Sequence, residues 1–169
     1  TFAVQQISCF SAVTSVAVID WDGGTDLDAV VGINIADQNI EDGYQVLLDV
    51  AATNSSGPWF EIPKYEISSG IYVVDPSTCV DGGNQTSAWG FVGGTRYGRV
   101  HRAIQGGSLQ TIGELGGNNI ATIEAIELDA DGGDGQIDLM VASDEAETIY
   151  LFQGNDSASD GFDNLIPLG

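Results

Sequence analysis

Positive charge is what this sequence lacks most. Four lysines and arginines stand against 25 aspartates and glutamates, a net charge of −21, and such a body repels nucleic acid and anionic membrane surfaces alike. Polyanionic partners are therefore not expected. Histidine occurs once, as His101, which rules out multi-histidine metal centres and leaves a serine triad a single possible base. The two cysteines are too few for a zinc site. Neither a Gly-x-Ser-x-Gly elbow nor a phosphate-binding loop is present. Acidic pairs are too common here for any one of them to mark a glycosidase, so catalysis is not expected. No apolar run is long enough to span a bilayer, and no basic and apolar leader precedes Thr1. A soluble chain without membrane insertion is expected, either mature or excised from a longer one.

Proline is scarce as well, with four residues against 23 glycines. Together with Val/Ile/Thr runs and Asn/Asp/Ser clusters, this balance favours short strands joined by tight turns over long helices. The fold class read from the sequence is all-β, in a single domain over residues 1–169, because a chain of this length buries one core or a row of small stacked units. Strong acidity can signal disorder, a halophile's surface or bound cations. A hydrophobic content of 43% argues against disorder. The acids also gather in two dense groups, Asp20 to Asp28 and Asp129 to Asp138, and this clustering favours bound cations.

Cys9 and Cys79 are an even pair. One disulfide is the favoured reading, and two buried free thiols the alternative. Three acceptor triplets begin at Asn54, Asn84 and Asn155, each in a polar stretch between apolar runs. Chance alone produces some such triplets in a chain this rich in Ser, Thr and Asn. Together with the cysteines they point to an extracellular, secreted or cell-surface glycoprotein.

Internal repetition sets the expected architecture. Val16-Ala-Val-Ile-Asp20-Trp-Asp22-Gly-Gly-Thr-Asp26-Leu-Asp28-Ala-Val-Val and Ala125-Ile-Glu-Leu-Asp129-Ala-Asp131-Gly-Gly-Asp134-Gly-Gln-Ile-Asp138-Leu-Met-Val share one layout: strand, acidic glycine loop, strand. Asp20 and Asp129 lie 109 positions apart. A weaker copy sits midway, entered by Ile71 to Asp75 and left by Ser87 to Gly93, so the period is about 55 residues. Alternation and β-branching place strands at 15–19, 28–33, 44–50 and 59–62 in the first unit. In the last unit they fall at 123–128, 137–142, 148–152 and 162–166. Approximate units are 1–57, 58–108 and 109–169, with the apolar stretches at Phe60–Ile67 and Leu109–Ile112 read as openings of the next unit. Four strands per unit is the pattern of a propeller blade.

The segment Ser15-Val-Ala-Val-Ile-Asp-Trp-Asp-Gly, followed by Asp26-Leu-Asp-Ala-Val-Val-Gly, resembles the FG-GAP/VCBS repeats of integrin-type propellers. That resemblance implies about three divergent blades of four antiparallel strands, with calcium held in the loop between two strands. Asp20, Asp22 and Asp28 match the motif's first, third and ninth positions. Gly24 stands where an acid is expected, and Asp26 is positioned to compensate. Asp129, Asp131, Asp134 and Asp138 match once an extra glycine after Asp131 is allowed. In the middle unit Asp75 alone keeps its place, with Asp81 a distant candidate, and no metal is expected there. The chemistry points to Ca2+ independently: a hard cation taking six to eight oxygens suits alternating carboxylates and backbone carbonyls, while magnesium demands a tighter octahedron. An acidic surface turn without an ion is the alternative for each loop.

Three of the four basic residues, Arg96, Arg99 and Arg102, fall beside His101. The segment reads either as a solvated loop offsetting local acidity or as a docking patch for an acidic surface, such as a second copy of the chain. Trp21, Trp59 and Trp89 read as core residues, with sugar stacking as the alternative. The expected role is structural: a calcium-binding subunit that self-associates head to tail through unpaired strands near its two ends, as in a filament. The alternative is an adhesion propeller, or a fragment of one, that binds extracellular protein or glycan.

Overall fold

The computed structural model describes residues 12–34, 42–50, 55–62, 68–74, 80–81, 84–85, 90–116, 119–126, 138–143, 145–154 and 162–168. Among the described residues there are strands and turns but no helix. β1 (Ala12–Ile19), β2 (Asp28–Asn34), β3 (Asp42–Leu48) and β4 (Ser55–Ile62) form the first sheet in that order. The second sheet opens with β5 (Ser68–Val74), is interrupted by a small hairpin of β6 (Val80–Asp81) and β7 (Asn84–Gln85), and continues with β8 (Gly90–Thr95), β9 (Arg99–Ile104) and β10 (Gln110–Glu114). β11 (Ile120–Ile126), β12 (Asp138–Ser143), β13 (Thr148–Gly154) and β14 (Phe162–Pro167) make the third. Each four-stranded sheet is an antiparallel meander, and none closes into a barrel.

Residue pattern explains which strands lie inside. β2, β3, β8 and β9 are buried along almost their whole length, since they have a strand on each side and apolar residues on both faces. β1 lies at a sheet edge and alternates between exposed and partly buried positions. The second sheet is the middle layer of the molecule. One of its faces sends Phe91 and Ala103 against Ile19, Trp21, Val30, Tyr44, Val46, Phe60 and Ile62 of the first sheet and its loop. The opposite face sends Val92, Val100 and Leu115 against Ile120, Ile123, Leu139, Val141 and Phe152 of the third. In the first of these cores Phe91 lies 5.1 Å from the Tyr44 ring and 5.7 Å from Phe60, while Trp21 meets Phe60 edge-on at 5.8 Å. Burying each such ring is worth about 1.5–3 kcal/mol.

Close approach between the layers depends on two adjacent glycines of β8. A methyl group on Gly93 would run into the Tyr44 ring, and one on Gly94 into Ile120 of the third sheet. The Tyr44 hydroxyl donates a hydrogen bond to the Gly94 carbonyl at 3.3 Å, joining the first two sheets by a polar contact within an apolar core.

The sheets span 12–62, 68–114 and 120–167, so the first two end a few residues later than the repeat spacing implies. β4 pairs with β3, so the strand read at 59–62 closes the first sheet as expected, whereas β10 pairs with β9, so the Gln110–Glu114 strand completes the second sheet instead of opening the next. Alternation identifies such a segment as a strand but does not say which neighbour it joins.

Candidate cation site in the first acidic loop

β1 and β2 close on the pair Ile19↔Asp28, and Asp22 to Leu27 form an exposed turn around Gly23, whose φ of 76° is the left-handed conformation that glycine adopts freely. The aspartates shape this turn. Asp20 Oδ1 accepts the Gly23 N–H at 2.9 Å, and Asp22 Oδ1 accepts the Gly24 N–H at 2.9 Å. Asp28 is fully buried, and its Oδ2 accepts the N–H groups of Trp21 at 2.7 Å and Asp22 at 3.3 Å. Its Oδ1 accepts the N–H of Asp49, at the end of β3, at 2.9 Å. Asp28 thus ties both ends of the loop to the strand beyond, helped by a backbone bond from Val50 N–H to the Leu27 carbonyl.

The consequence is convergence. Asp20, Asp22 and Asp28 each offer one carboxylate oxygen, and these oxygens lie within 4.8 Å of one another. Two charges about 5 Å apart repel by roughly 3 kcal/mol at an effective dielectric near 20. The backbone N–H donors offset part of that repulsion. A hard divalent cation would offset more, and the three converging carboxylate oxygens are a group that could hold such an ion. Asp26, expected to compensate for Gly24, is exposed in the same loop and is not a member of this group.

The third sheet repeats the anchor. Asp138 opens β12 opposite Ile126, as Asp28 opens β2 opposite Ile19, and Asp138 Oδ1 accepts the Gly154 N–H at the end of β13 at 2.8 Å. Asp129, Asp131 and Asp134 lie outside the described residues, as do Asp75, Cys9, Cys79, Asn54, Asn155 and Trp89. Asp81 and Asn84 fall on β6 and β7.

The basic segment is divided between surface and interior. Arg96 is exposed in the turn after β8, and Arg99 Nε pairs with Glu114 at 3.0 Å across β9 and β10. Arg102 is buried and donates to Gln110 Oε1 at 3.0 Å, while His101 is buried facing the first sheet. No single cationic patch results, because alternate residues of an interior strand point into opposite cores. The His101 ring lies 6.4 Å from Tyr44, and its Nδ1 is 3.2 Å from Thr111 Oγ1. Burial, and then the positive charge of Arg99, push its pKa down to about 4, against an upward pull from Glu114. Trp21 is a core residue, and Trp59 is half-buried at the rim of the first sheet.

Sequence reading missed the packing roles of His101 and Tyr44 and the anchoring of Asp49. The one available signal was the glycine pair Gly93-Gly94 inside a strand, which marks a close approach. No protein-family model and no curated protein matches the chain. Among solved structures, a chain in the humanized mutant of the Chaetomium thermophilum Polycomb Repressive Complex 2 bound to an inhibitor is similar in fold. The TM-score is 0.54 at 14% identity, over 83% of this chain and 28% of that one. The crystal structure of BBS1N in complex with ARL6DN aligns at a TM-score of 0.48 and 14% identity, over 96% of this chain and 56% of that one. This chain therefore spans less than two thirds of either neighbour.

Proposed function

We propose that this chain is an extracellular calcium-binding assembly protein whose three sheets are divergent blades of the FG-GAP/VCBS type, and that its role is structural, not catalytic. The observation that carries the reading is the convergence of Asp20, Asp22 and Asp28, whose oxygens gather within 4.8 Å at the turn between two strands, where that repeat family holds calcium. The recurrence of the anchoring aspartate at Asp138 supports a second ion in the loop of the third sheet, with Asp129, Asp131 and Asp134 as its other ligands. Bound calcium lowers the self-repulsion of a body of charge −21 and so favours association. The even number of cysteines and the acceptor triplets support an extracellular setting.

Calorimetric titration tests the reading. Calcium is expected to bind with measurable heat, magnesium more weakly, and Asp22→Asn is expected to weaken the calcium affinity at least about tenfold by removing one ligand charge. Equal isotherms for the two proteins would remove the first loop from the account. A second reading, carbohydrate binding, is favoured by one feature: an open groove of about 430 Å³ lined by Pro58, Trp59, Phe60, Glu61 and the turn Gly107–Leu109. Quenching of tryptophan fluorescence by an oligosaccharide, lost in Trp59→Ala, would select it.

A further inference from the structure

β4 closes the first sheet on one side, and among the described residues β3 is its one strand neighbour. Pro58, Trp59, Phe60 and Glu61 of β4 line an open groove of about 430 Å³ whose far wall is the turn between β9 and β10, at Gly107, Ser108 and Leu109. One core holds both walls: Phe60 is buried in it, and Leu109 packs against it. The Gly107 N–H donates to the Ile104 carbonyl at 2.9 Å and closes the turn. The groove is therefore built into the seam between the first two sheets.

Strand geometry decides which groups of β4 face outward. Gly43 pairs with Glu61 and Tyr44 with Phe60, and the Phe60 carbonyl lies over Gly43, toward β3. In an antiparallel sheet the N–H and C=O of one residue point to the same side, and those of the next residue to the other. Trp59 and Glu61 therefore turn their peptide groups away from β3, along the free edge. Pro58 has no N–H, but its carbonyl is taken by Gln45 Nε2 of β3 at 3.2 Å, so the missing donor does not interrupt that edge. Trp59 and Glu61 also share one face of the strand, two residues apart. A methyl group on Gly43 would run into the Trp59 ring, so the half-buried indole rests on Gly43, whose cross-strand partner is the exposed Glu61.

We infer that this edge binds an extended, basic peptide of another protein as an added strand of the first sheet. Trp59 and Glu61 exchange backbone hydrogen bonds with it, and the Glu61 carboxylate and the Trp59 ring take a lysine or arginine side chain. Charge selects the occupant. Glu61 is the ionisable residue among those lining the groove, in a chain of net charge −21 that draws cationic segments and repels acidic ones. The lining also favours a peptide over a saccharide. Of its described residues Glu61 and Ser108 carry polar side chains suited to hydroxyl groups, too few for several sugars, whereas a strand edge meets a peptide with its own backbone. This partner is additional to the calcium-binding role and does not depend on it.

The probe is a short labelled peptide of alternating valine and lysine, titrated by fluorescence anisotropy into the intact chain, Glu61→Gln and Asp26→Asn. The last variant removes an exposed acid from a different loop and so measures general attraction to an acidic body. Both substitutions are at exposed positions, and melting temperatures check that the variants fold. Glu61→Gln is expected to weaken binding at least about fivefold, and Asp26→Asn less than about twofold. The same peptide N-methylated at alternate residues keeps its charge but cannot complete the strand pairing, and is expected to bind at least about tenfold more weakly. Hydrogen exchange at the Trp59 and Glu61 amides is expected to slow when the parent peptide is bound. Equal affinity for the N-methylated peptide, or equal losses in the two variants, would overturn the inference by reducing the binding to general charge attraction. No binding of the parent peptide would overturn it as well, and a neutral oligosaccharide that binds in its place, with the binding lost in Trp59→Ala, would assign the groove to carbohydrate. Calcium titration reads the role proposed above separately from all of these outcomes.

Discussion

Both oxygens of Asp28 accept backbone N–H groups, from Trp21 and Asp22 on one side and Asp49 on the other, so its carboxylate is structural as well as a candidate ligand. Asp28→Ala leaves those buried donors without an acceptor and is expected to cost about 2–4 kcal/mol in denaturant unfolding without calcium. Asp26→Ala, in the same loop but exposed and outside the carboxylate group, is expected to stay within about 0.5 kcal/mol. Equal costs would contradict the distinction. Sequence alone ranked these two residues together, because spacing shows that both are acids in one turn, whereas the partner that separates them, Asp49, lies 21 residues further on. His101 gives a pH signature. Its folded pKa of about 4 lies below the ordinary 6.5, so the unfolded chain binds more protons between those values, and stability falls as pH drops through that window. The loss approaches about 3 kcal/mol below pH 4. His101→Phe removes this contribution, and the difference in unfolding free energy between the variant and the intact chain is expected to shift in the variant's favour from pH 7 to pH 4. A constant difference would show that the ring does not titrate as described.

At the level of the strand, the glycine pair in β8 sets how closely the three sheets approach. Gly94→Ala places a methyl group against Ile120 and is expected to destabilise by about 1–3 kcal/mol. Ile120→Ala alone opens a cavity at a fully buried position and is expected to cost about 2–5 kcal/mol. Combined, the two changes are expected to cost clearly less than their sum, as denaturation of the double variant would show, because the new methyl occupies part of the space that Ile120 leaves. Additive costs would mean that the layers do not meet there. The strands themselves were largely legible: β2, β12 and β13 sit within two residues of their expected positions, since alternation and β-branching are local signals. The closing strands at 59–62 and 162–166 were legible too, and the allocation of the strand after β9 was not: Leu109–Ile112 is apolar enough to join either neighbouring sheet, and only the pairing of β10 with β9 decides.

At the scale of the molecule, the described residues set three four-stranded antiparallel sheets in a row, the middle one packed on both faces, in a chain of net charge −21. Each acidic loop joins the first two strands of its sheet, so a cation bound there fastens a hairpin while relieving repulsion between the carboxylates that form it. An ion that binds the folded loops and not the unfolded chain must raise stability by mass action, by about 2.7 kcal/mol at a hundred times its dissociation constant. For a chain of this size that corresponds to a rise in melting temperature of about 5 °C or more. The most direct test is therefore the melting temperature of the intact chain in millimolar calcium against an excess of chelator, with magnesium as the control. The account predicts a clear rise with calcium and a smaller one with magnesium, whereas identical melting curves in calcium and chelator would contradict it.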